Sequence, residues 1–312
     1  MSDHLVIVLT AGLVATACGL LGPFLVVRRI ALMGDAVSHA VLPGIVAVFV
    51  LFGTRAPLPV ILGAATLGVV CVLLVDALRG TGLVRQDAAI GLVFPMLFAL
   101  GVLGVHRYAE SAHIDLDATI YGEISFAPFR VWEVGDLLLA RSAVIMGAVV
   151  ALNLMFVLLF WKELRSTSFD PDFARTAGFS PALVTRLLLV GVAVTAVTAF
   201  ESVGAILVVT LLIVPAAAAR LLVDRMAPLV MAAVAIGWAS AIGGEAVATR
   251  LDASIAGSMG LVAGVLFLCA LVAGPRGLVA RAVARRRRPR PGPLLAAGAP
   301  GARPPRAGGG AD

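Results

Sequence analysis

The sequence predicts an all-α integral membrane protein built as a bundle of about eight or nine transmembrane helices. Hydrophobic residues make up 61% of the 312 residues, charged residues make up only 13%, and the mean hydropathy is +1.05. Soluble domains carry about 45–50% apolar and about 25% charged residues. Apolar runs of about 20 residues, the length that crosses a bilayer, also recur along the chain.

These apolar runs give the candidate spans directly. Each is long enough, or nearly long enough, to cross the hydrocarbon core of a bilayer. The nine candidates are residues 5–27, 36–52, 57–78, 88–106, 141–161, 182–200, 202–222, 227–247 and 255–274.

The positive charges predict the orientation of the bundle, because Lys and Arg favour cytoplasmic connections. Basic residues concentrate in alternate connections, whereas the opposite connections carry Arg55, the acidic loop 107–136 and Arg250. The N-terminus is therefore expected outside and the C-terminus inside. Loop 107–136 is polar and too long for a tight turn, and we expect a re-entrant piece around Tyr121 and Gly122, buried in protein. The basic residues of the inner connections are Arg28, Arg29, Arg79, Arg85, Lys162, Arg165, Arg175, Arg220 and Arg225.

The chain divides into a transmembrane domain, residues 1–276, and a tail, residues 277–312. The tail is rich in Arg, Pro and Gly, so it cannot bury a core and is predicted to be disordered. Much of the net charge of +6 lies there. A basic segment next to a span is typical of a cytoplasmic end with affinity for anionic lipid. This placement favours membrane lipid over nucleic acid as the partner of the basic residues.

Asp35 and His39 are the ionisable pair in the segment "MGDAVSHAVLPG" (33–44). Their i, i+4 spacing puts both on one face of a helix. Ionisable groups within a span are costly and commonly mark an ion path. A carboxylate oxygen and an imidazole nitrogen suit Zn²⁺, Mn²⁺ or Fe²⁺. The alternative is a hydrogen-bonded pair that only fixes two helices together, and the chemistry alone leaves the two interpretations even.

Two further acids lie near predicted outer ends of spans. Glu201 begins the seventh span, and Glu245 lies late in the eighth. Acids at an outer mouth would concentrate cations. Ordinary positions at a helix interface are the alternative for both residues.

The segment "WKELRSTSFDPDFARTAGFS" (161–180) is the inner connection with the clearest local signals. Asp170 is a good N-cap, Pro171 suits the first helical position and Gly178 suits a helix stop. These residues predict a short surface helix over about 171–177. A connecting helix without a partner is the alternative on spacing alone.

Two kinds of enzyme are not indicated by the motifs. The chain has no GxxxxGK[ST] sequence, and Lys162 is its only lysine, so it does not carry a P-loop ATPase. It also has no HExxH sequence, the signature of one class of zinc protease. No covalently bound cofactor is indicated.

Four stretches together resemble the ABC-3 family, the permease subunits of bacterial zinc/manganese/iron ABC importers. They occur in the order in which the family has them, and the resemblance covers about residues 5–274. The four stretches are "RRIALMGDAVSHAVLPG" (28–44), "IYGEISF" (120–126), "WKELRSTSFDPDFARTAGFSP" (161–181) and "ESVGAILVVTLLIVPAAAARLLVDR" (201–225).

The resemblance implies a type II importer-like permease in the bacterial plasma (inner) membrane. It implies a second permease copy, most simply a homodimer, a separate cytoplasmic ABC ATPase dimer and an extracytoplasmic metal-binding protein. The permease itself would not be an enzyme. The family's metal-holding acid and histidine fall on Asp35 and His39. The family's coupling segment falls on residues 168–180, which assigns ATPase coupling to Asp170, Pro171, Asp172, Phe173, Arg175 and Gly178.

The metal and the energy source are the open points at this stage. Zn²⁺ is favoured over Mn²⁺ because the Irving–Williams order favours it at equal geometry. One alternative function is a secondary metal transporter driven by ions, which would need no ATPase. Another is an ABC importer permease of the siderophore or vitamin type, which would need a wide cavity and no metal-ligand pair. A scaffold for membrane assembly is the alternative without transport.

Overall fold

The computed structural model describes most of the transmembrane domain as helices. The described residues are 3–39, 41–53, 57–108, 124, 131–134 and 137–279. The predicted re-entrant piece at Tyr121 and Gly122 lies outside them. So do residues 280–312 of the predicted disordered tail.

Twelve helices and one β-hairpin make up the described part of the chain. Eight of the helices are long and apolar enough to cross a membrane. The multi-pass helical bundle predicted from the sequence is therefore confirmed. In chain order, the helices before the hairpin are α1 (Asp3–Val27), α2 (Leu32–His39), α3 (Val41–Phe52), α4 (Pro57–Gly80) and α5 (Gln86–Tyr108).

The described elements after α5 are the two strands of the hairpin and seven helices. The elements are β1 (Val131–Val134), β2 (Leu137–Ala140), α6 (Arg141–Leu159), α7 (Trp161–Phe169), α8 (Pro171–Thr176), α9 (Pro181–Val203), α10 (Ala205–Leu222), α11 (Met226–Leu251) and α12 (Ile255–Ala273).

Helix α1 is the centre of the bundle. It packs against α6, α9, α10 and α11, and 72% of its most apolar stretch is buried, against 22% for α6. Helices α3, α4 and α5 form a second group beside it. Helix α9 joins the two groups, because it packs on α1, α6 and α10 on one side and on α2 and α4 on the other.

Small residues allow these helices to approach closely. A methyl group at Gly22 of α1 would overlap the backbone carbonyl of Leu212 in α10, and one at Gly12 would overlap the ring of Trp238 in α11. Lipid gives no hydrophobic driving force between helices, so close van der Waals contact between small residues supplies much of the association energy.

Buried polar side chains add interhelical hydrogen bonds to this packing. The Asn153 amide of α6 donates to the Ala17 carbonyl oxygen at 3.3 Å and to Thr195 Oγ1 at 2.8 Å. The Trp238 indole N–H donates to Thr16 Oγ1 at 2.9 Å. Such bonds contribute about 0.6 kcal/mol each on average in membranes. Together they fix the register of α1 against its neighbours.

The predicted second span, 36–52, is not one helix. The structure has two short helices there: α2 ends at His39 and α3 begins at Val41. Pro43 explains the break: a helix running through it would lack one N–H and would press the proline ring onto the carbonyl of His39, four residues earlier. In the observed arrangement Pro43 lies in the first turn of α3, where proline is tolerated.

The β-hairpin was not predicted from the sequence. Strands β1 and β2 are antiparallel, with Val131 opposite Ala140 and Val134 opposite Leu137. A signal was present, because Gly-Asp between two runs of β-prone residues is typical of a two-residue hairpin loop. The apolar residues 137–140 directly precede the predicted span that begins at 141, which hides the signal of a strand.

Gly204 is the single residue between α9 and α10, and its backbone demands glycine. Its φ of 85° and ψ of 157° lie in a region that is essentially restricted to glycine. The seventh predicted span begins at 202, and the structure begins α10 at Ala205 because of this residue.

We expect Gly244→Ala to destabilise the bundle by about 1–3 kcal/mol, the usual effect of overpacking. A methyl group at Gly244 of α11 would overlap the backbone of Met259 in α12, so the two helices would have to separate. Gly264→Ala is the matched control, since nothing lies within 4 Å of a methyl group there. Thermal unfolding of the detergent-solubilised variants measures the difference, and equal unfolding temperatures would contradict this account of the α11–α12 contact.

Candidate functional site

Helix α2 carries both residues of the candidate metal site, Asp35 and His39. The two lie one turn apart, so the predicted helical spacing is confirmed, and His39 is the last residue of the helix. With 8 residues, α2 rises about 12 Å, well short of the 30 Å core. The side chains of Asp35 and His39 lie outside the described part of the structure.

The surroundings of α2 are protein on several sides. It packs on α4, α5, α9 and α10. Met33 and Ala36 are buried, and a methyl group at Gly34 would contact the side chain of Leu212 closely. The Cys71 thiol of α4 lies 3.9 Å from the carbonyl oxygen of Ala36. A broken helix at membrane depth is tolerated where it is enclosed in this way.

The turn between α1 and α2 is short and internally hydrogen-bonded. The Ile30 N–H donates to the Leu25 carbonyl oxygen at 3.0 Å, and the Arg29 N–H donates to that of Val26 at 3.2 Å. Arg29 adopts a left-handed φ of 60°, which costs about 1–2 kcal/mol for a residue other than glycine. The strain is consistent with a turn whose geometry is set by the packing on either side of it.

Helix α8 confirms the short helix predicted in the inner connection. The Asp170 side chain caps it by accepting from the Phe173 N–H at 2.9 Å, and Pro171 is its first residue. Gly178 follows it with a φ of 86°. The Phe179 N–H bonds to the Ala174 carbonyl oxygen and the Gly178 N–H to that of Arg175, which is a Schellman motif.

The outward surface of α8 combines an exposed aromatic ring with two charges. Phe173 is 63% exposed, whereas Ala174 is fully buried. The Asp172 carboxylate accepts from the Arg175 guanidinium at 2.7 Å, and both side chains are exposed. Exposed pairs of this kind contribute about 0.2–1 kcal/mol at most, so their stabilising effect is small. The backbone of α8 is therefore fixed by hydrogen bonds at both ends, and the outward side chains of the helix are exposed.

The two acids predicted near the outer ends have different placements. Glu201 lies in the last turn of α9, and its side chain is outside the described part of the chain. Glu245 of α11 is only 15% exposed, and its carboxylate lies 2.5 Å from His4 Nδ1 at the start of α1. It also accepts from Thr249 Oγ1 at 2.9 Å. These contacts favour the helix-interface interpretation of Glu245, and an outer-mouth role stays a prediction for both acids.

Arg28 was predicted only as one of the basic residues of the inner connections, but its side chain is the centre of a hydrogen-bond network. Its guanidinium donates to four oxygen atoms on two helices. The α7 acceptors are Ser168 Oγ at 2.9 Å, Thr167 Oγ1 at 2.7 Å and the Leu164 carbonyl oxygen at 3.4 Å; the α9 acceptor is Thr185 Oγ1 at 2.6 Å.

The three hydroxyl groups that contact Arg28 can act toward it only as hydrogen-bond acceptors. Thr167, Ser168 and Thr185 each donate their own proton to the backbone carbonyl four residues earlier, which leaves the oxygen lone pairs for the guanidinium. Burial lowers the pKa of Arg28 to about 10, and the group stays charged at neutral pH. Removing these oxygen acceptors would leave a partly buried charge without hydrogen-bond partners, which costs free energy.

A second polar link joins α4 to α9 beside Arg28. The Asp76 carboxylate accepts from Arg186 Nε at 2.7 Å and lies 2.6 Å from Arg186 Nη2. Arg186 directly follows Thr185, so neighbouring residues of α9 bind α1 through Arg28 and α4 through Asp76. Sequence reasoning missed both links because their partners are more than a hundred residues apart.

The comparison with known families decides the class of the protein. The sequence matches the ABC 3 transport family over residues 4–274, which is nearly the whole transmembrane domain. The chain belongs to the ABC 3 transport family. The family resemblance inferred from the sequence motifs is thereby confirmed, and the chain is a multi-pass membrane permease.

Relatives within this family include two transport-system membrane proteins. The zinc transport system membrane protein TroD of Treponema pallidum (strain Nichols) is 43% identical over 286 residues, covering 90% of this chain and 77% of TroD. The manganese transport system membrane protein MntD of Bacillus subtilis (strain 168) is 38% identical to this chain over 276 residues. That alignment covers 88% of this chain and 93% of MntD.

A solved structure has the same fold as this family member. PsaBC from Streptococcus pneumoniae in complex with Fab superposes with a TM-score of 0.75 and 28% sequence identity. The alignment covers 91% of this chain and 96% of the PsaBC chain. The helical permease architecture therefore extends over almost the full length of both chains.

Removing the cap of α8 tests the local geometry of this segment. We expect Asp170→Ala to lose about 1 kcal/mol of helix stability and Asp170→Asn to retain it, because Asn caps as well as Asp. Hydrogen-exchange mass spectrometry on the peptide around Phe173 measures the change, with about fivefold faster exchange expected in Asp170→Ala. Identical exchange in Asp170→Ala and the native chain would contradict the capping role.

Proposed function

We propose that this ABC 3 family member is the permease subunit of an ATP-driven importer of divalent metal ions. The observation that carries the proposal is α2, a short helix enclosed by four others that carries Asp35 and His39 one turn apart. The named relatives, a zinc and a manganese transport system membrane protein, support metal as the cargo. Zn²⁺ is the favoured ion, with Mn²⁺ and Fe²⁺ as the alternatives.

The chemistry of the pair suits an ion in transit. Zn²⁺ takes four ligands in a tight structural site, and two ligands per chain leave the remaining positions open. A pathway needs this weakness, because a bound ion must leave again. A second copy of the chain would complete the permease as a homodimer, with one such pair in each copy.

The energy source in this proposal is a separate cytoplasmic ATPase dimer that docks on α8. The sequence contains no phosphate-binding lysine motif, which supports the proposal that another subunit hydrolyses ATP. Phe173 would be the buried anchor, since aromatic residues dominate interface hot spots. Asp172 and Arg175 would fix the register through charged pairs. Pro171 and Gly178 would define the two ends of the docking helix.

The remaining partners follow from the same proposal. An extracytoplasmic metal-binding protein would deliver the ion to the outer face, where Glu201 and Glu245 would add negative charge near the entrance. The location would be the bacterial plasma (inner) membrane. The basic tail would lie on the cytoplasmic side, next to anionic lipid.

Substitutions in the metal pair test the pathway. We expect Asp35→Asn and His39→Ala each to lower metal uptake by about 100-fold or more, because even indirect changes around a metal cost 10–100-fold in affinity. Asp87→Asn is the matched control, because it removes the same carboxylate from the first turn of α5. Uptake of ⁶⁵Zn²⁺ into vesicles with the intact complex is the measurement. Normal uptake by both α2 variants would reduce the pair to a structural hydrogen bond.

The coupling proposal is tested at the exposed aromatic ring. We expect Phe173→Ala to abolish co-purification of the ATPase and ATP-driven uptake, while metal binding at α2 is unchanged. Leu83→Ala is the control, because Leu83 is 88% exposed in another connection on the predicted inner face. If Phe173→Ala retains both the ATPase and uptake, α8 is an ordinary connecting helix. Uptake by the unmodified complex without ATP would favour the ion-driven alternative instead.

A further inference from the structure

Arg28 holds together both ends of the α8 segment. Ser168 lies two residues before the Asp170 cap, and Thr185 lies one turn inside α9, the helix that follows α8. One guanidinium bonds to both. The α8 segment is thus a loop whose two stems are tied to the same side chain, and a displacement of the segment as a unit would displace that side chain.

The backbone of Arg28 leads directly into the helix with the metal pair. Arg28 follows the last residue of α1, and only residues 28–31 separate α1 from α2. The Arg28 N–H is bonded to the Phe24 carbonyl oxygen at 3.1 Å, and the Met33 N–H to that of Ile30 at 3.0 Å. This turn has little slack, so movement at Arg28 would be passed to α2 rather than absorbed.

Helix α8 does not pack on α2 as it packs on α7 and α9. Among the described elements, α8 packs on α7 and α9, whereas α2 packs on α3, α4, α5, α9 and α10. The body of α9 is one route from the segment to α2, and the Arg28 side chain with the turn that follows it is another.

We propose that Arg28 is a positioning residue that couples movement of the α8 segment to helix α2. The inference rests on the proposed function, in which an ATPase moves α8 and a metal ion is held at α2. When the segment moves, the guanidinium carries the α1–α2 turn with it and shifts the backbone of Asp35 and His39. Arg28 contacts neither the metal nor the ATPase in this mechanism.

Arginine suits this task and lysine does not. The planar guanidinium offers five N–H donors in a fixed fork and reaches acceptors on two helices at once. A lysine ammonium carries its three donors on one compact nitrogen at the end of a flexible chain, so it would keep the positive charge but would not hold α7 and α9 in a fixed geometry. Arg28→Lys therefore weakens the mechanical link while retaining the positive charge.

The experiment uses the permease with its ATPase in liposomes. It compares the native chain with Arg28→Lys and Arg28→Gln and takes Arg165→Lys, an exposed arginine on α7, as the control. The readouts are ⁶⁵Zn²⁺ taken up per ATP hydrolysed, and hydrogen exchange of residues 28–39 and 164–185 in the nucleotide-free and ATP-bound complexes. A purely structural role would change exchange equally in the nucleotide-free and ATP-bound complexes, and the difference between the two states would stay as in the native chain.

We expect Arg28→Lys and Arg28→Gln to lower uptake per ATP by about two- to thirtyfold, the range for residues that carry coupling between sites. ATP binding should still change exchange at 164–185 in these variants but no longer at 28–39. The Arg165→Lys control should match the native chain in both readouts.

Native uptake per ATP in both Arg28 variants, with ATP still changing exchange at 28–39, would overturn the inference. If the Arg28 variants do not assemble, Thr185→Val and Ser168→Ala decide the question, because each removes one acceptor and leaves the others. Each should then lower uptake per ATP, and native values in both would overturn the inference. ATP-independent uptake by the native complex would instead refute the proposed function.

Discussion

The close approach of α1 to its neighbours is the constraint on which the rest of the structure depends. Helices in lipid gain little from hiding apolar side chains from one another, so they associate where backbones can come near. Glycines at 12, 19 and 22 face α11 and α10 along one side of α1 with almost no spare room. Buried hydrogen bonds from Asn153 and Trp238 then fix the axial position of α1. A rigid central helix gives the inner and outer ends of the bundle fixed reference points.

The break between α2 and α3 shows how this frame makes a costly feature tolerable. A helix interrupted at membrane depth leaves backbone groups that lipid cannot satisfy. Here α2, which precedes the break, packs against α4, α5, α9 and α10. The same enclosure would protect an ion held by Asp35 and His39. Pro43 therefore ends α2 directly after the candidate pair Asp35 and His39, so one proline shapes both the fold and the candidate site.

The inner end of the bundle uses a different kind of interaction. Charged or charge-assisted hydrogen bonds link four helices there. Arg28, at the end of α1, binds α7 and also Thr185 of α9. Arg186 of α9 binds Asp76 of α4. Such bonds are directional and stronger than neutral ones, so they hold the helix ends in a set geometry. This combination suits a transporter, in which a movement at the surface has to reach a site within the membrane. The α8 segment lies between two of these links.

The sequence by itself determined the features that depend on neighbours along the chain. Hydropathy located the membrane helices, and Asp170, Pro171 and Gly178 defined α8 to within a residue, because capping bonds join residues three to five positions apart. The i, i+4 spacing placed Asp35 and His39 on one helix for the same reason. Only the tertiary structure decided that Arg28 binds α7 and α9, and that Glu245 meets His4 across 241 positions. Nothing in a local pattern encodes such pairs, since they form only after the packing of small residues has brought the helices together.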